Sequence, residues 1–328
     1  MSNPRSISTA AELHGVWPAL FTPLKNDDPK RLRNSIDYDK AKKIIDDMIA
    51  EGVNGIVPVG TTGQSPTVST EQHLDMVRFT VDYVAGRVPV IAGAGSNSTR
   101  ESVDMIQSIQ KALGDTAVLC VTGYYNNPPQ EGLVGHFETL SAETGAKIVV
   151  YNVPARTASY LEPETLIRLA ADKNIIGLKQ AVDFRSAGKF REDTKKVIAA
   201  TKGFDFSVVT GEDDGVAEMM EMGGTGVITA SGNIPEVARL FLRIIAAHKR
   251  DSAEGMADAR RLQEDAMVFV KAVFARKNPL PLAALFDSPL FQPLVSVRET
   301  AGGAAVQSML MDLVRDHAPS LKKYHTGT

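Results

Sequence analysis

Residues 174–183 read NIIGLKQAVD, an apolar run of strand-forming residues that carries a single lysine, Lys179. Aliphatic side chains without polar alternation describe a strand covered on both faces, the pattern of a parallel sheet packed against helices. Seven further runs share it: WPALFTP (17–23), NGIVPVG (54–60), VPVIAGAG (88–95), TAVLCVTG (116–123), KIVVYNVP (147–154), FSVVTG (206–211) and GVITASG (226–232). Between them lie segments with helical spacing, such as DYDKAKKIIDDMIAEG (37–52), STEQHLDMVRFTVDYVAG (69–86) and TRESVDMIQSIQKALG (99–114), each ending on the glycine expected just past a helix. Ser69 and Gln72 are spaced as a capping box.

Helical crossovers make successive strands parallel. Eight βα units between Gly15 and Gly232 match the size of a (β/α)8 TIM barrel, the α/β fold expected here. An open doubly wound sheet fits less well, because the ends of the first and third runs, TPL and GAGSNS, lack the GxGxxG fingerprint. Past Gly232 the pattern is purely helical: IPEVARLFLRIIAAHKR (234–250), AEGMADARRLQEDAMVFVKAVFAR (253–276) and AVQSMLMDLVRDHA (305–318), with KNPLPLAALFDSPLFQP (277–293) as a proline-broken connection. The expected organisation is an N-terminal tail over 1–14, a barrel over 15–235 and a helical subdomain over 236–328 that packs on the barrel and on other subunits.

The chain has 328 residues, 43% hydrophobic and 23% charged, with a net charge of −3. Interspersed charge of that size supplies no basic field for nucleic acid or anionic lipid. The polar start MSNPRSISTAAELHG lacks the apolar stretch of a secretory signal, and no run is long enough to span a bilayer, so a cytoplasmic protein is expected. The single cysteine, Cys120, excludes an internal disulfide framework. The six histidines, His14, His73, His136, His248, His317 and His325, are scattered without a close pair, so no metal site is expected.

Barrel active sites lie at the C-terminal ends of the strands. Those ends carry Gly60, Thr61, Thr62 and Gly63; Gly123, Tyr124 and Tyr125; Tyr151 and, shortly after, Arg156; Lys179; and Gly211, Glu212, Asp213 and Asp214. An amine held in apolar surroundings loses its proton more readily and becomes a nucleophile for a ketone; the plainer reading has Lys179 reach solvent or pair with Glu212 or Asp213 across the mouth. GTTGQS (60–65) offers hydroxyls and backbone amides to a small carboxylate, or is simply a tight turn. The tyrosines can relay protons or pack at the rim, and Arg156 can grip a carboxylate or pair with a surface acid.

With Thr61, Tyr125, Tyr151, Arg156 and Lys179 assembled, the chain resembles the dihydrodipicolinate synthase and N-acetylneuraminate lyase family over nearly its whole length. GTTGQS, GYYNNPPQEG (123–132), YNVPART (151–157), GLKQA (177–181) and GGTGVI (223–228) carry the resemblance, in family order and spacing. It implies a barrel with a helical C-terminal region, a homotetramer built as a dimer of dimers, and no metal or organic cofactor. By the same resemblance Lys179 forms a Schiff base with pyruvate, Tyr151 shuttles protons above it, and Thr61 and Tyr125 complete the relay, with Tyr125 reaching into a neighbouring subunit. Thr62 and the backbone of Ile228 hold the pyruvate, and Arg156 binds the carboxylate of aspartate semialdehyde. The implied product is 4-hydroxy-tetrahydrodipicolinate, on the way to lysine and diaminopimelate.

Arg156 favours the synthase branch over neuraminate lyases, which typically lack it; a lyase, aldolase or dehydratase for a sugar-derived 2-oxo acid is the alternative within the family, and a non-catalytic carboxylate-binding barrel the alternative outside it. Departures from the family pattern are Gln64, Gly123, Gln180, Ala158 and Ala283, with a longer stretch LKNDDPKRLRNSIDYD (24–39). A lysine-feedback site, where the family has one, corresponds to Ser65, His73, Asn97, Glu101 and Tyr124, with Thr70 departing.

Overall fold

The structure, a computed structural model, describes residues 6–184 and 188–325. Seven strands form one parallel sheet in the order β1-β7-β6-β5-β4-β3-β2: β1 (Gly15–Pro18), β2 (Ala92–Gly93), β3 (Val118–Val121), β4 (Ile148–Asn152), β5 (Ile175–Gln180), β6 (Ser207–Thr210) and β7 (Gly226–Thr229). The eighth expected run, 54–60, closes the circle between β1 and β2 without becoming a regular strand. Val57 bridges to Ala19 and Ile56 to Val90, both parallel. The Val57 amide donates to Pro18 O at 2.9 Å and the Ile56 amide to Pro89 O at 3.0 Å. The ladder is fragmentary because Pro18, Pro58 and Pro89 have no N–H to contribute at this seam.

The crossover helices form the outer ring: α1 (Tyr38–Ala50), α2 (Thr70–Val84), α3 (Thr99–Leu113), α4 (Gln130–Thr144), the short α5 (Pro154–Thr157), α6 (Pro163–Ala170), α7 (Gly188–Ala200) and α8 (Val216–Glu221). The Ser69 capping box forms as its spacing predicts, opening α2 at Thr70. Then α9 (Pro235–His248) lies against β1 and between α8 and α1. Beyond it come α10 (Ala253–Val273), α11 (Leu280–Leu285) and α12 (Gly303–Asp316). The proline-broken connection expected at 277–293 thus contains a helix, which places its prolines where a helix tolerates them, at the start.

Two apolar layers result. Val16, Val118, Val150, Leu178, Val208 and Val227 face outward and bury Ile44, Met76, Ile106, Phe137, Leu166 and Phe241 of the helices. Trp17, Val57, Ile91, Leu119, Val149, Ile176, Val209 and Ile228 fill the barrel interior. Gly55 is dictated by this filling, since a Cβ there would fall 2.0 Å from the Trp17 ring.

Residues 6–14 close the N-terminal end of the barrel. Ile7 and Leu13 join the interior cluster, the Ser207 hydroxyl donates to Ala10 O at 2.7 Å, and the Thr225 hydroxyl donates to Leu13 O at 2.8 Å. The long 24–39 stretch is pinned by the Leu24–Ile36 bridge, by the Asp28 carboxylate accepting from the amides of Lys30, Leu32 and Arg33, and by Arg31 forking onto Glu299. With one end plugged, access to the interior is left to the other, where the strands terminate.

Candidate active site

Lys179 sits near the end of β5, only 6% exposed, with Tyr151 of β4 and Val209 of β6 as its register partners. Equal register on adjacent parallel strands sends their side chains the same way, here into the barrel. The Lys179 Nζ lies 4.3 Å from the centre of the Tyr151 ring. Gly211 keeps the space open: a Cβ there would approach Lys179 Cε to 2.8 Å and Ala181 Cβ to 2.6 Å. Among the described residues no carboxylate lies within ion-pair distance of Lys179, so the plainer pairing with Glu212 or Asp213 is not formed. The neighbouring Gln180 faces the other way and is consumed in packing the sheet onto α7. Its Oε1 accepts from Asn152 Nδ2 at 2.9 Å, and its Nε2 donates to the Thr194 hydroxyl at 3.2 Å.

Carboxylates nonetheless gather at the end of β6. Burial and the adjacent Asp214 and Asp213 carboxylates push Glu212 up to about 7, with Lys179 pulling the other way. Asp213 is fully buried and raised for the same first reason; its Oδ2 accepts from the Ser231 amide and hydroxyl, and its Oδ1 has no partner.

The 60–65 loop is a tight turn and an open amide cluster at once. Its backbone closes through Gln64 N to Thr61 O at 3.1 Å and Ser65 N to Gly60 O at 3.2 Å. Gln64, at φ 63° and fully buried, uses both ends of its carboxamide, donating to Thr22 O and accepting from the Phe291 amide. A carboxylate in its place would have nothing to donate to Thr22 O. The amides of Thr61, Thr62 and Gly63 meet no acceptor among the described residues, an arrangement that suits a small anion. Thr62, 2% exposed, accepts at its hydroxyl from Asn278 Nδ2 at 2.9 Å. Ile228 is fully buried on β7, opposite Trp17.

A cavity of about 640 Å3 opens above these groups and is lined by Thr61, Tyr151 and Arg156. Lys179, Thr62 and Ile228 do not line it; they lie among the buried side chains, with Lys179 under the Tyr151 ring. Arg156 rides on α5, which Pro154 opens and Ala158 ends at φ 57°. Its Nη2 donates to Asn278 O at 3.0 Å. Asn278 therefore touches both carboxylate-binding candidates, and nothing in the sequence pattern singles it out.

Tyr125 stands apart. It is 92% exposed, at φ 72°, on the surface of its own chain rather than in the cavity. The expected feedback residues Ser65, His73, Glu101 and Tyr124 line the same cavity, and Asn97 Oδ1 accepts from the Tyr124 amide at 2.8 Å. Burial lowers the pKa of His73, and its Nε2 lies 2.7 Å from Gly93 O. A carbonyl only accepts, so the neutral ring carries its proton on Nε2. His136 is held near 4 by burial. Among the described residues, no three His, Cys, Asp or Glu side chains are placed to hold a metal ion, and no helix is long and apolar enough to cross a membrane.

A 4-hydroxy-tetrahydrodipicolinate synthase of Pseudomonas savastanoi pv. phaseolicola is 40% identical over 268 residues, 82% of this chain and 85% of the relative. One from Nitratidesulfovibrio vulgaris (strain DSM 19637 / Miyazaki F) is 37% identical over 83% of this chain and 86% of its own. The solved dihydrodipicolinate synthase of Thermotoga maritima is similar with a TM-score of 0.81 at 32% identity, covering 92% of this chain and 98% of the other. The profile of the Dihydrodipicolinate synthetase family matches residues 12–290, and the chain, a TIM barrel with a helical C-terminal part, belongs to that family.

Proposed function

We propose that this chain condenses pyruvate with aspartate semialdehyde to give 4-hydroxy-tetrahydrodipicolinate, with Lys179 as the nucleophile. The observation that carries the reading is the buried Lys179 amine beneath the ring of Tyr151, at the end of β5 where barrels do chemistry. The neutral amine adds to the pyruvate ketone and water leaves, forming an iminium. Withdrawal of a methyl proton gives an enamine, whose carbon attacks the aldehyde. The amino group of the aldehyde substrate then attacks the iminium carbon, closes the ring and releases Lys179. The iminium is its own electron sink, so no step calls for a metal or organic cofactor.

The residues divide the work by position. Thr62, the free amides of the 60–65 loop and the Ile228 backbone receive the pyruvate carboxylate. Tyr151 and Thr61 move protons at the cavity wall, and Arg156 receives the carboxylate of the aldehyde. Tyr125 is exposed on its own chain, which suits a relay completed by a second copy in a homotetramer. Lysine feedback would act from the Ser65, His73, Asn97, Glu101 and Tyr124 side of the cavity. The reading also places the enzyme in the cytoplasm.

Sodium borohydride reduction with pyruvate, followed by peptide mass spectrometry, tests the chemistry. A pyruvate-derived mass on the Lys179 peptide is expected; its absence removes this reading and the sugar-acid aldolase reading together and leaves a carboxylate-binding barrel. A coupled assay with aspartate semialdehyde then separates the two enzymes.

A further inference from the structure

Asn278 lies in the segment between α10 and α11, outside the barrel, yet is only 7% exposed and reaches two site residues from different strand ends. Its side-chain Nδ2 donates to the Thr62 hydroxyl at 2.9 Å, and its backbone O accepts from Arg156 Nη2 at 3.0 Å. Its Oδ1 is buried and unpartnered. A buried carboxamide left half satisfied costs free energy, so the orientation it adopts has to be held by what it does bond.

Resting on the functional reading above, we infer that Asn278 is a positioning residue that sets both carboxylate-binding groups, Thr62 through its side chain and Arg156 through its backbone. A hydroxyl has one proton to give. Because Asn278 Nδ2 fills an acceptor site of Thr62, the Thr62 proton is left free to go to the pyruvate carboxylate. The two contacts are separable, since a side-chain substitution removes the first and leaves the carbonyl of residue 278 to Arg156.

The test is steady-state kinetics on N278A, T62V and the double variant in the full chain, beside borohydride trapping on the unsubstituted enzyme. N278A should raise KM for pyruvate about tenfold, the loss of one hydrogen bond to a charged ligand's holder. The KM for aspartate semialdehyde and kcat should stay within about twofold. With T62V already present, N278A should add nothing to the pyruvate KM, because its effect runs through that hydroxyl. N278D, isosteric and able to stand in should N278A fail to fold, should be worse than N278A: its carboxylate only accepts, so it draws the Thr62 proton away and repels the substrate anion. Independent, multiplying effects of N278A and T62V, an equal rise in both KM values, or an unchanged pyruvate KM in N278D would each overturn the inference while leaving the function intact. No pyruvate adduct on the unsubstituted enzyme would overturn both.

Discussion

Lys179 and Tyr151 are direct register partners on β5 and β4, and the Lys179 Nζ lies 4.3 Å from the centre of the Tyr151 ring. One strand pairing therefore fixes both the proposed nucleophile and the ring beside it. Tyr151 also lines the cavity, and under the proposed function its phenol is the group placed to move substrate protons there. Tyr151→Phe keeps the ring and removes the hydroxyl. It should lower kcat by about 100-fold to 1000-fold, the scale of a lost proton-transfer group. The pyruvate adduct on Lys179 should still accumulate on long incubation, as read by borohydride trapping.

Gly211 faces the stem of Lys179. Gly211→Ala would place its Cβ 2.8 Å from Lys179 Cε and 2.6 Å from Ala181 Cβ. Ala181 is on the backbone of the adjoining strand end and cannot swing away, so Lys179 must. The expected outcome is a loss of about 1–3 kcal/mol in denaturant unfolding together with a slower rate of adduct formation.

The barrel and the lysine were legible because both depend on local rules. Unbroken apolar runs such as 175–178 mark strands buried on two faces, and a lysine placed among them has few structural reasons to be there. The seam at 54–60 was harder. Its apolar pattern matches its neighbours, but Pro18, Pro58 and Pro89 belong to three separate segments, and only their meeting shows how many ladder bonds are lost. Asn278 was illegible for a related reason: its partners Thr62 and Arg156 are 216 and 122 residues away, and no periodicity links them. The helix at Leu280–Leu285 was hidden by prolines that block a helix interior but suit its first turn.

Among the described residues Arg156, at the cavity wall, makes a single side-chain bond, to Asn278 O, which leaves the rest of its guanidinium available to a ligand. Arg156→Ala should raise KM for aspartate semialdehyde by roughly tenfold to 100-fold, as expected for losing a charge-assisted bond. Trapping of pyruvate on Lys179 should be unchanged. A matching loss of pyruvate trapping would move Arg156 from the aldehyde to the pyruvate.

Glu212 links the site to pH. Its folded-state pKa stands near 7, above the ordinary 4.5, chiefly because it is buried and then because Asp214 and Asp213 are close. The native state thus holds this proton more tightly than the unfolded chain does. The stability this contributes is complete below pH 4.5 and is lost as pH rises through 7. Glu212→Gln cannot ionise and escapes that loss. Between pH 4.5 and 7 the unsubstituted protein should therefore lose up to about 3 kcal/mol relative to the variant, read from paired urea unfolding curves.

Tyr125 is 92% exposed and held at φ 72°, so its phenol cannot serve the cavity of its own chain without a rearrangement of the 123–127 turn. If it serves a second copy, the defect must complement in trans. Tyr125→Phe should lower kcat by about 10-fold to 100-fold in a homogeneous preparation, and Lys179→Ala should abolish it. Co-expressed and purified as mixed assemblies, the two variants should recover activity. A site with Lys179 from the first chain then receives an intact Tyr125 from the second, while the reciprocal site is dead. Activity no higher than that of the Tyr125→Phe fraction alone would place the phenol's action within one chain. The same mixture separated on a size-exclusion column reports whether the assembly that carries the recovered activity is larger than one chain.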